Sequence, residues 1–185
     1  QRCIDSILGK TTYDNYEVVV IENNSELEET FSYYQHVQHE NKERVRVVTW
    51  EGKGDFNYSS LINFGAKESS GDYLLLLNNE RELRTPDCRE RMGGLASRKN
   101  VGAVGARLLF PDNTIQHAGV IVSGGCANHF ETDLPDSDHG YWSLIECEQD
   151  LSAVTGACLM TRRELFEEMN GLDETFAVTF NDVDC

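Results

Sequence analysis

Three groups of carboxylate and amide side chains follow apolar segments of this sequence, at points where strands would end. They are Glu22-Asn23-Asn24-Ser25 after residues 18–21, Asn78-Asn79-Glu80 after four consecutive leucines, and Asn181-Asp182-Val183-Asp184 at the end of the sequence. Side chains of these types can bind a divalent cation, accept a proton from a hydroxyl group or hydrogen-bond a polar ligand. Each group is also an ordinary turn sequence, so only its position in the fold separates a site from three turns.

The elements that must position these groups alternate between strand and helix over the first 97 residues. Strands are predicted at 16–21, 44–49 and 73–77, and helices at 2–8, 26–38, 58–69 and 87–97. Four leucines without alternation are typical of a strand that is buried on both faces. Short connections between strands and helices predict βαβ units and a parallel sheet, in which ligands bind at the carboxyl ends of the strands. The pattern therefore predicts an α/β fold in which the first two polar groups converge at one edge.

The second half of the sequence has a different pattern. Residues 101–110 and 114–122 are strand-like and are separated by a turn at Pro111-Asp112-Asn113. Residues 123–149 are rich in Gly, Asp, His and aromatic residues without a sustained period, which predicts a long surface loop. Residues 153–161 predict a buried strand, and residues 162–169 predict a helix that ends at Asn170-Gly171.

Composition narrows the class of protein and its partners. With 185 residues, of which 39% are hydrophobic and 26% charged, the sequence predicts one globular domain. The formal charge of -16 argues against nucleic acid as a partner, but it allows a phosphorylated small molecule held through a divalent cation. No apolar stretch approaches the roughly 20 residues that a membrane-spanning helix needs. The six cysteines contain no C-x-x-C pair, which favours a reducing, cytoplasmic setting.

Several familiar catalytic signatures are absent from the sequence. It contains neither G-x-x-x-x-G-K-[ST] nor a G-x-G-x-x-G after a strand, which argues against P-loop, kinase and classical dinucleotide-binding proteins. It also lacks the G-x-S-x-G elbow of α/β-hydrolases and the H-E-x-x-H helix of zinc proteases. The polar groups at the strand ends are what remains.

Five segments, in order along the sequence, resemble glycosyltransferase family 2, whose members are inverting, nucleotide-sugar-dependent enzymes of the GT-A fold. The segments are CIDSIL with YEVVVIENNS, FNYSSLINFGAKESSGDYLLLLNNE, VGAVGARLLFPDNTIQHAGV, TGACLMTRRELFEEMNGLDE and FNDVD. Together they cover nearly the whole sequence, and TIQHAGV is similar to a subgroup associated with cell-surface polysaccharide, O-antigen and rhamnan assembly. The resemblance implies a three-layer α/β sandwich with a mainly parallel central sheet. A Rossmann-like nucleotide-binding half would cover residues 1–97, and a mixed acceptor and catalytic half would cover residues 98–185.

The resemblance also implies roles for individual residues. It places four residues at the donor nucleotide: Glu22, Asn23, Asn78 and Asn79. It places Glu80 at the last acid of the family's D-x-D motif, which binds Mg2+ or Mn2+ across the donor's diphosphate. It places Asp182 at the catalytic base of the family's E-D pair. Asn63 and Asp72 fall in the family's helix-to-strand signature, where either a structural role or a donor contact is expected.

The sequence departs from the family's pattern in two respects. The first D-x-D position is Asn78, an uncharged amide, and the last is Glu80, whose carboxylate stands one methylene further out than that of an aspartate. In addition, the family begins with a strand and a P-x-Y-N-like turn, and it continues past the E-D pair with acceptor-binding elements. By that comparison, we expect the sequence to be a single domain that is truncated at both ends.

The reaction implied by the resemblance is transfer of a sugar from a UDP-, dTDP- or GDP-sugar to a glycan or lipid-linked acceptor. We expect it in the cytoplasm, and association with the inner face of the membrane stays open. Two alternatives also remain open at the level of sequence. One is a non-catalytic GT-A-like binding or assembly module, favoured by the amides of Asn78 and Asn79. The other is a sugar nucleotidyltransferase, although no Gly-rich loop with Arg and Lys stands near the start.

Two pairs of residues allow both a functional and a structural interpretation. His117 and His129 could approach the acceptor or complete a metal shell, since imidazole is an acceptable Mn2+ ligand. The structural alternative, which we favour, makes His117 a strand residue and His129 a polar group of a flexible loop. Arg162 and Arg163 could reach a diphosphate or be surface charges at a helix start.

Overall fold

The computed structural model describes residues 1–52 and 55–178, and its first half follows the predicted alternation. The elements are α1 (Arg2–Lys10), β1 (Val18–Glu22), α2 (Glu28–Glu40), β2 (Val45–Thr49), α3 (Tyr58–Glu68), β3 (Tyr73–Leu77) and α4 (Cys88–Ala96). Local chemistry explains where several of them start. Asn57 caps α3, because its Oδ1 accepts the Ser60 N–H at 2.9 Å. Acidic Glu28 and Glu29 occupy the first turn of α2, where the helix dipole favours negative charge.

The second half of the chain contains more and shorter secondary-structure elements than the sequence predicts. It contains β4 (Ala103–Gly105), β5 (Leu108–Leu109), β6 (Ile115–His117), β7 (Val120–Ser123), β8 (Cys126–His129), a 3-10 helix (Tyr141–Glu146), β9 (Cys158–Arg162) and α5 (Arg163–Glu168). The prediction of one long surface loop over residues 123–149 is wrong in part, because this mostly exposed segment contains β8 and the 3-10 helix. Two glycines with positive φ, Gly124 and Gly125, close a tight hairpin between β7 and β8.

Strand pairing among the described residues is partly parallel, whereas the sequence predicts a mainly parallel central sheet. β1 and β2 pair in parallel, as predicted for a βαβ unit, with Val18 opposite Val45. β9 pairs antiparallel with both β3 and β4, so the order of that sheet is β3-β9-β4. Within residues 1–52 and 55–178, β1 and β3 belong to separate hydrogen-bonded ladders, which corrects the expectation that they share one. The α/β class is confirmed, and the antiparallel partner of β3 comes from the second half of the chain.

The leucine strand is covered on both faces, which gives the expected three layers. Leu74 and Leu76 pack in one cluster with Ala66 of α3 and Phe166 of α5. The alternate residues of β3 face a second cluster that includes Met92 and Ala96 of α4 and Met160 of β9. Among the helices of the described chain, none is long and apolar enough to cross a membrane. The core thus fixes β3 between two helical layers and leaves its carboxyl end free to carry polar residues.

Candidate active site

The exit of β3 is held against the turn that precedes β9. The N–H of Asn78 donates to the carbonyl oxygen of Ala157 at 3.1 Å. The hydroxyl of Tyr58, the first residue of α3, lies 3.3 Å from Asn78 Oδ1 and 3.1 Å from the carbonyl oxygen of Gly156. The side-chain amide of Asn78 is therefore oriented by α3, and the hydrogen bond to Ala157 fixes the main chain directly after the leucines.

Glu80 stands beyond this point with its carboxylate in solvent contact. Its side chain is 55% exposed, and its Oε1 accepts from Arg81 Nη2 at 2.8 Å and lies 3.4 Å from Asn78 Nδ2. Partial burial opposes ionisation, but hydrogen bonds from its own N–H, from Arg81 and from Asn78 outweigh that effect and lower the pKa of the carboxyl. Glu80 is therefore a carboxylate at neutral pH. It lines an open cleft of about 610 Å³ together with Gln1, Arg2, Asp5 and Asn79.

Arg81 is a residue of this site that the sequence interpretation missed. Its side chain is only 17% exposed, although it carries a full positive charge. Nη2 donates to Glu80, Nη1 donates to Gln116 Oε1 on β6, and the buried Nε has no hydrogen-bond partner within the described residues. The signal in the sequence is a basic residue directly after the candidate metal-binding acid.

Glu22 and Asn23 lie at the end of β1, where they contact a different set of neighbours. Glu22 is 5% exposed, and its two carboxylate oxygens accept the N–H and the hydroxyl of Ser25 at 2.6 and 2.7 Å. It therefore closes the turn after β1, which also holds Asn24 at a positive φ. Asn23 is half-buried and accepts from Asn24 Nδ2 at 3.2 Å. A contact of Glu22 or Asn23 with a nucleotide stays a prediction, as it does for Asn78 and Asn79.

Asp182, the predicted base, lies outside the described residues. The segment that leads to it, residues 172–177, is hydrogen-bonded to α3 and its cap. The bonds run from Asn57 Nδ2 to Glu174 O (2.8 Å), from Tyr58 N to Ala177 O (2.7 Å), from Ser59 Oγ to Phe176 O (2.8 Å) and from Asn63 Nδ2 to Leu172 O (2.9 Å). One face of α3 thus fixes the chain up to a few residues before the predicted base.

Asn63 has the structural role that was one of its two expected roles. It is 7% exposed, and its Oδ1 also accepts the N–H of Leu172 at 2.8 Å, so the amide pairs with both main-chain groups of that residue. Gly171 makes this approach feasible, because a Cβ at its position would lie 2.3 Å from Asn63 Oδ1 and its φ is +79°. The buried amide is thereby committed to the 172–177 segment.

The two histidines form a pair, which changes the interpretation of His129. His129 lies on β8 and not in a flexible loop, so that expectation is wrong. Its Nδ1 is 2.9 Å from Nδ1 of His117, which is 2% exposed on β6 as expected for a structural strand residue. The N–H of Thr155 points to His117 Nε2 at 3.4 Å, which favours the tautomer that donates from His117 Nδ1 to His129. The histidine pair therefore supports the turn at residues 155–157, in which the carbonyl oxygen of Ala157 accepts the N–H of Asn78.

The suggestion that Arg162 and Arg163 reach a diphosphate is wrong. Arg162 Nη1 donates to the carbonyl oxygens of Ala96, Arg98 and Val101 behind α4. Arg163 donates through Nε to Gly71 O at 2.7 Å, through Nη1 to Ala66 O at 2.8 Å and through Nη2 to Ser69 Oγ at 2.7 Å. These carbonyls include the end of α3, where main-chain acceptors lack helical partners. Both guanidinium groups therefore connect the start of α5 to main-chain carbonyl groups, Arg162 to those at and after the end of α4 and Arg163 to those near the end of α3.

Replacing Arg163 with methionine is expected to lower the free energy of unfolding by about 2 kcal/mol, because three charge-assisted hydrogen bonds are lost from a mostly buried side chain. Urea denaturation of the variant and the parent measures this difference. Arg98→Met is the matched control, since Arg98 is exposed and its nearest acid, Glu148, is 3.9 Å away. Equal stability of the Arg163 variant and the parent would contradict the structural role.

The residues at the β3 exit fit a divalent cation only as part of a larger ligand set. Within residues 1–52 and 55–178, no group of three or more His, Cys, Asp or Glu side chains is placed to hold a metal ion. Mg2+ usually takes one or two carboxylates from the protein and completes its shell with water and substrate phosphates. Glu80 suits that role, because its carboxylate is ionised and faces an open cleft. The donor set thus fits a cation that arrives with a diphosphate.

Comparison with known proteins agrees with this geometry. The sequence profile described as Glycosyl transferase family 2 matches residues 1–169, and the chain belongs to this family. It is 39% identical over 183 residues to the O-antigen biosynthesis protein RfbC of Myxococcus xanthus and to the uncharacterized protein y4gI of Sinorhizobium fredii (strain NBRC 101917 / NGR234). These matches cover 98% of this chain but only 14% and 20% of those two proteins. The chain therefore spans a minor part of the length of its curated relatives.

A solved structure supports the fold. The mannosyltransferase PcManGT of Pyrobaculum calidifontis, determined in complex with GDP-Man and Mn2+, superposes with a TM-score of 0.66. The match covers 97% of this chain and 44% of that protein, at 13% sequence identity. At this identity the likeness concerns the fold alone, and it confirms the GT-A arrangement predicted from the sequence.

Proposed function

We propose that the protein transfers a sugar, with inversion, from a nucleoside-diphosphate sugar to a glycan or lipid-linked acceptor in cell-surface polysaccharide assembly. The observation that carries the proposal is the ionised Glu80 carboxylate at the exit of the buried β3, in a chain of glycosyl transferase family 2. The name of the M. xanthus relative favours polysaccharide assembly, and the GDP-Man complex of PcManGT favours a nucleotide-sugar donor.

In this proposal the β3 exit binds the diphosphate end of the donor. Glu80 would hold Mg2+ or Mn2+, and the cation would stabilise the negative charge that develops on the departing diphosphate. The amides of Asn78 and Asn79 offer hydrogen bonds to the donor, and Tyr58 fixes the orientation of Asn78. Glu22 shapes the turn that presents Asn23 to the nucleoside. Ligand groups held in advance by packing lose little entropy when the donor binds.

Asp182 is the proposed base. The acceptor hydroxyl must lose its proton as its oxygen attacks the anomeric carbon, and a carboxylate is a suitable proton acceptor for that step. Attack from the face opposite the leaving diphosphate inverts the anomeric centre. Inversion is therefore part of the proposal, and the anomeric configuration of the product tests it.

We place the reaction in the cytoplasm, with attachment to the inner face of the membrane as a further option. The cysteines Cys3, Cys88, Cys126, Cys147 and Cys158 are free thiols, which favours a reducing compartment. Activity recovered in the soluble fraction of lysed cells supports the first placement, and activity recovered in the membrane fraction supports the second.

Donor binding tests the proposal most directly. Isothermal titration with UDP, dTDP and GDP, each with Mn2+ and with EDTA, is expected to show metal-dependent binding of at least one nucleotide. Transfer from the corresponding sugar nucleotides to purified cell-surface glycans then identifies the donor. Absence of binding to all three nucleotides in the presence of Mn2+ would contradict the enzymatic function.

A non-catalytic module of the same fold is the second candidate, favoured by the amide of Asn78, which stands where the family's motif starts with an acid, and by the amide of Asn79 beside it. Such a module would bind a nucleotide or a glycan without turnover. The two candidates differ in one measurement, the release of nucleoside diphosphate from a bound sugar nucleotide when acceptor is added.

A further inference from the structure

The cationic group nearest to Glu80 is the guanidinium of Arg81, and its surroundings are unusual for a surface arginine. Only 17% of its side chain is exposed, and it is held between the Glu80 carboxylate and the Gln116 side chain of β6. Nε is buried without a hydrogen-bond partner in the described part of the chain. A partly buried charge with an unused donor is costly unless another state of the site uses it.

A cation bound to Glu80 competes for the electron density of its carboxylate, so the hydrogen bonds that Oε1 accepts become weaker. Oε1 accepts the hydrogen bond from Arg81 Nη2 at 2.8 Å and also lies within reach of Asn78 Nδ2. A carboxylate that turns toward a cation weakens these bonds, and Nη2 then needs another anionic acceptor. The ligand that brings the cation to this cleft carries one, because a diphosphate offers several anionic oxygens.

The guanidinium group suits such an acceptor. Arginine is always charged, and its planar fork forms paired hydrogen bonds with phosphate oxygens. Gln116 keeps one edge of the fork in place, so Nη2 is the group that can change partner, and Nε is a donor without a partner among the described residues. At this exit the chain has two amides and one carboxylate. We expect one carboxylate to bind a divalent cation less tightly than the two acids of a D-x-D motif would. A fixed positive charge beside Glu80 compensates for that difference.

We propose that Arg81 is a direct binding residue for the donor's diphosphate, held by Glu80 and Gln116 until the donor arrives. This inference rests on the proposed function, since it requires a nucleoside-diphosphate ligand at the β3 exit. Arg81 thereby acts beside the cation and stabilises the same group of negative charges. Donor affinity then has one component that depends on Glu80 and a second component that depends on Arg81.

The test compares Arg81→Met with Arg84→Met. Arg84 lies three residues away on the same loop, is exposed and donates to Asn113 Oδ1, so its replacement removes the same charge without touching the site. Isothermal titration in the presence of Mn2+ measures the affinity for one nucleoside diphosphate, the one among UDP, dTDP and GDP that binds the parent best. A competition titration against that nucleotide measures the affinity for the matching nucleoside. Electron paramagnetic resonance measures binding of Mn2+ alone.

Arg81→Met is expected to lose about tenfold or more in affinity for the nucleoside diphosphate, the effect of losing charge-assisted hydrogen bonds. Its affinity for the nucleoside should stay within about twofold of the parent, and Mn2+ alone should bind at least as well, because Glu80 is released. Arg84→Met should match the parent in all three measurements. Arg81→Lys, which keeps the charge but not the fork, supplies the same comparison if circular dichroism shows that Arg81→Met is unfolded, and an intermediate loss is expected.

Three results overturn the inference, and they are distinguishable. If the parent binds the diphosphate and both arginine variants bind it equally, Arg81 has no specific role. If Arg81→Met weakens binding of Mn2+ alone, Arg81 supports Glu80 and does not contact the donor. If the parent binds no nucleoside diphosphate with Mn2+, the proposed function fails first and the inference fails with it.

Discussion

Replacing Asp182 with asparagine is expected to abolish sugar transfer while leaving donor binding nearly intact. Asparagine has almost the same size and shape as aspartate, but its amide cannot take the proton of the acceptor hydroxyl. Loss of general-base catalysis typically costs on the order of 10²- to 10⁴-fold in rate. Initial rates of transfer at saturating donor, measured together with nucleotide affinity by isothermal titration, separate the chemical step from binding.

Asp184→Asn is the matched control for this experiment, because Asp184 is the other carboxylate of the same short segment. Its activity should stay close to that of the parent. Equal activity of Asp182→Asn and the parent eliminates Asp182 as the base. A large loss in the Asp184 variant, with Asp182→Asn unaffected, would move the assignment two residues along the chain.

Replacing Glu80 with glutamine is the second change with a large expected effect. It removes the ionised carboxylate at the β3 exit and leaves an amide of the same length, so the cation loses its charged protein ligand. Since a bound cation contributes several kcal/mol of charge stabilisation in such reactions, transfer should fall by about a hundredfold or more. Nucleotide titration should lose its dependence on Mn2+, and the weak binding that persists in EDTA should remain.

Glu82→Gln controls for the loss of one negative charge from the same loop. Glu82 is exposed and pairs with Lys10 at 2.9 Å, outside the cleft that Glu80 lines. Its Mn2+-dependent binding should equal that of the parent, because an exposed ion pair contributes little. If Glu80→Gln and Glu82→Gln bind nucleotide and Mn2+ equally well, the cation is held by other groups.

The parts of the fold that could be predicted are those encoded in short segments. Four leucines in a row gave a correct prediction of β3 and of burial on both its faces, since a strand with one face in solvent would alternate apolar and polar residues. Strand partners were less predictable. An apolar segment such as β9 does not reveal its direction or its neighbours, and its place between β3 and β4 depends on pairing across more than fifty residues.

The candidate site shows the same limit. Glu80 could be singled out because an acid three positions after a buried strand is a local signal, whereas its role as a metal ligand is implied by the resemblance and stays a prediction. Arg81 was missed because the position of its side chain depends on Gln116, thirty-five positions away, whose Oε1 accepts a hydrogen bond from Nη1. For Arg163 the sequence left a diphosphate contact and a surface charge open, because a sequence does not show which carbonyl oxygens a guanidinium will meet.

The double attachment of α3 makes it a shared support for the two chemical roles in the proposal. Through Tyr58 it orients Asn78 on the donor side, and through Ser59 and Asn63 it holds the 172–177 segment. A shift of this helix would therefore move both sides together. In chimeras between relatives, α3 and residues 172–177 should therefore be exchanged as one unit. If they come from different parents, the buried pairing of the Asn63 amide with the main chain of Leu172 is mismatched, and both sides of the site are displaced.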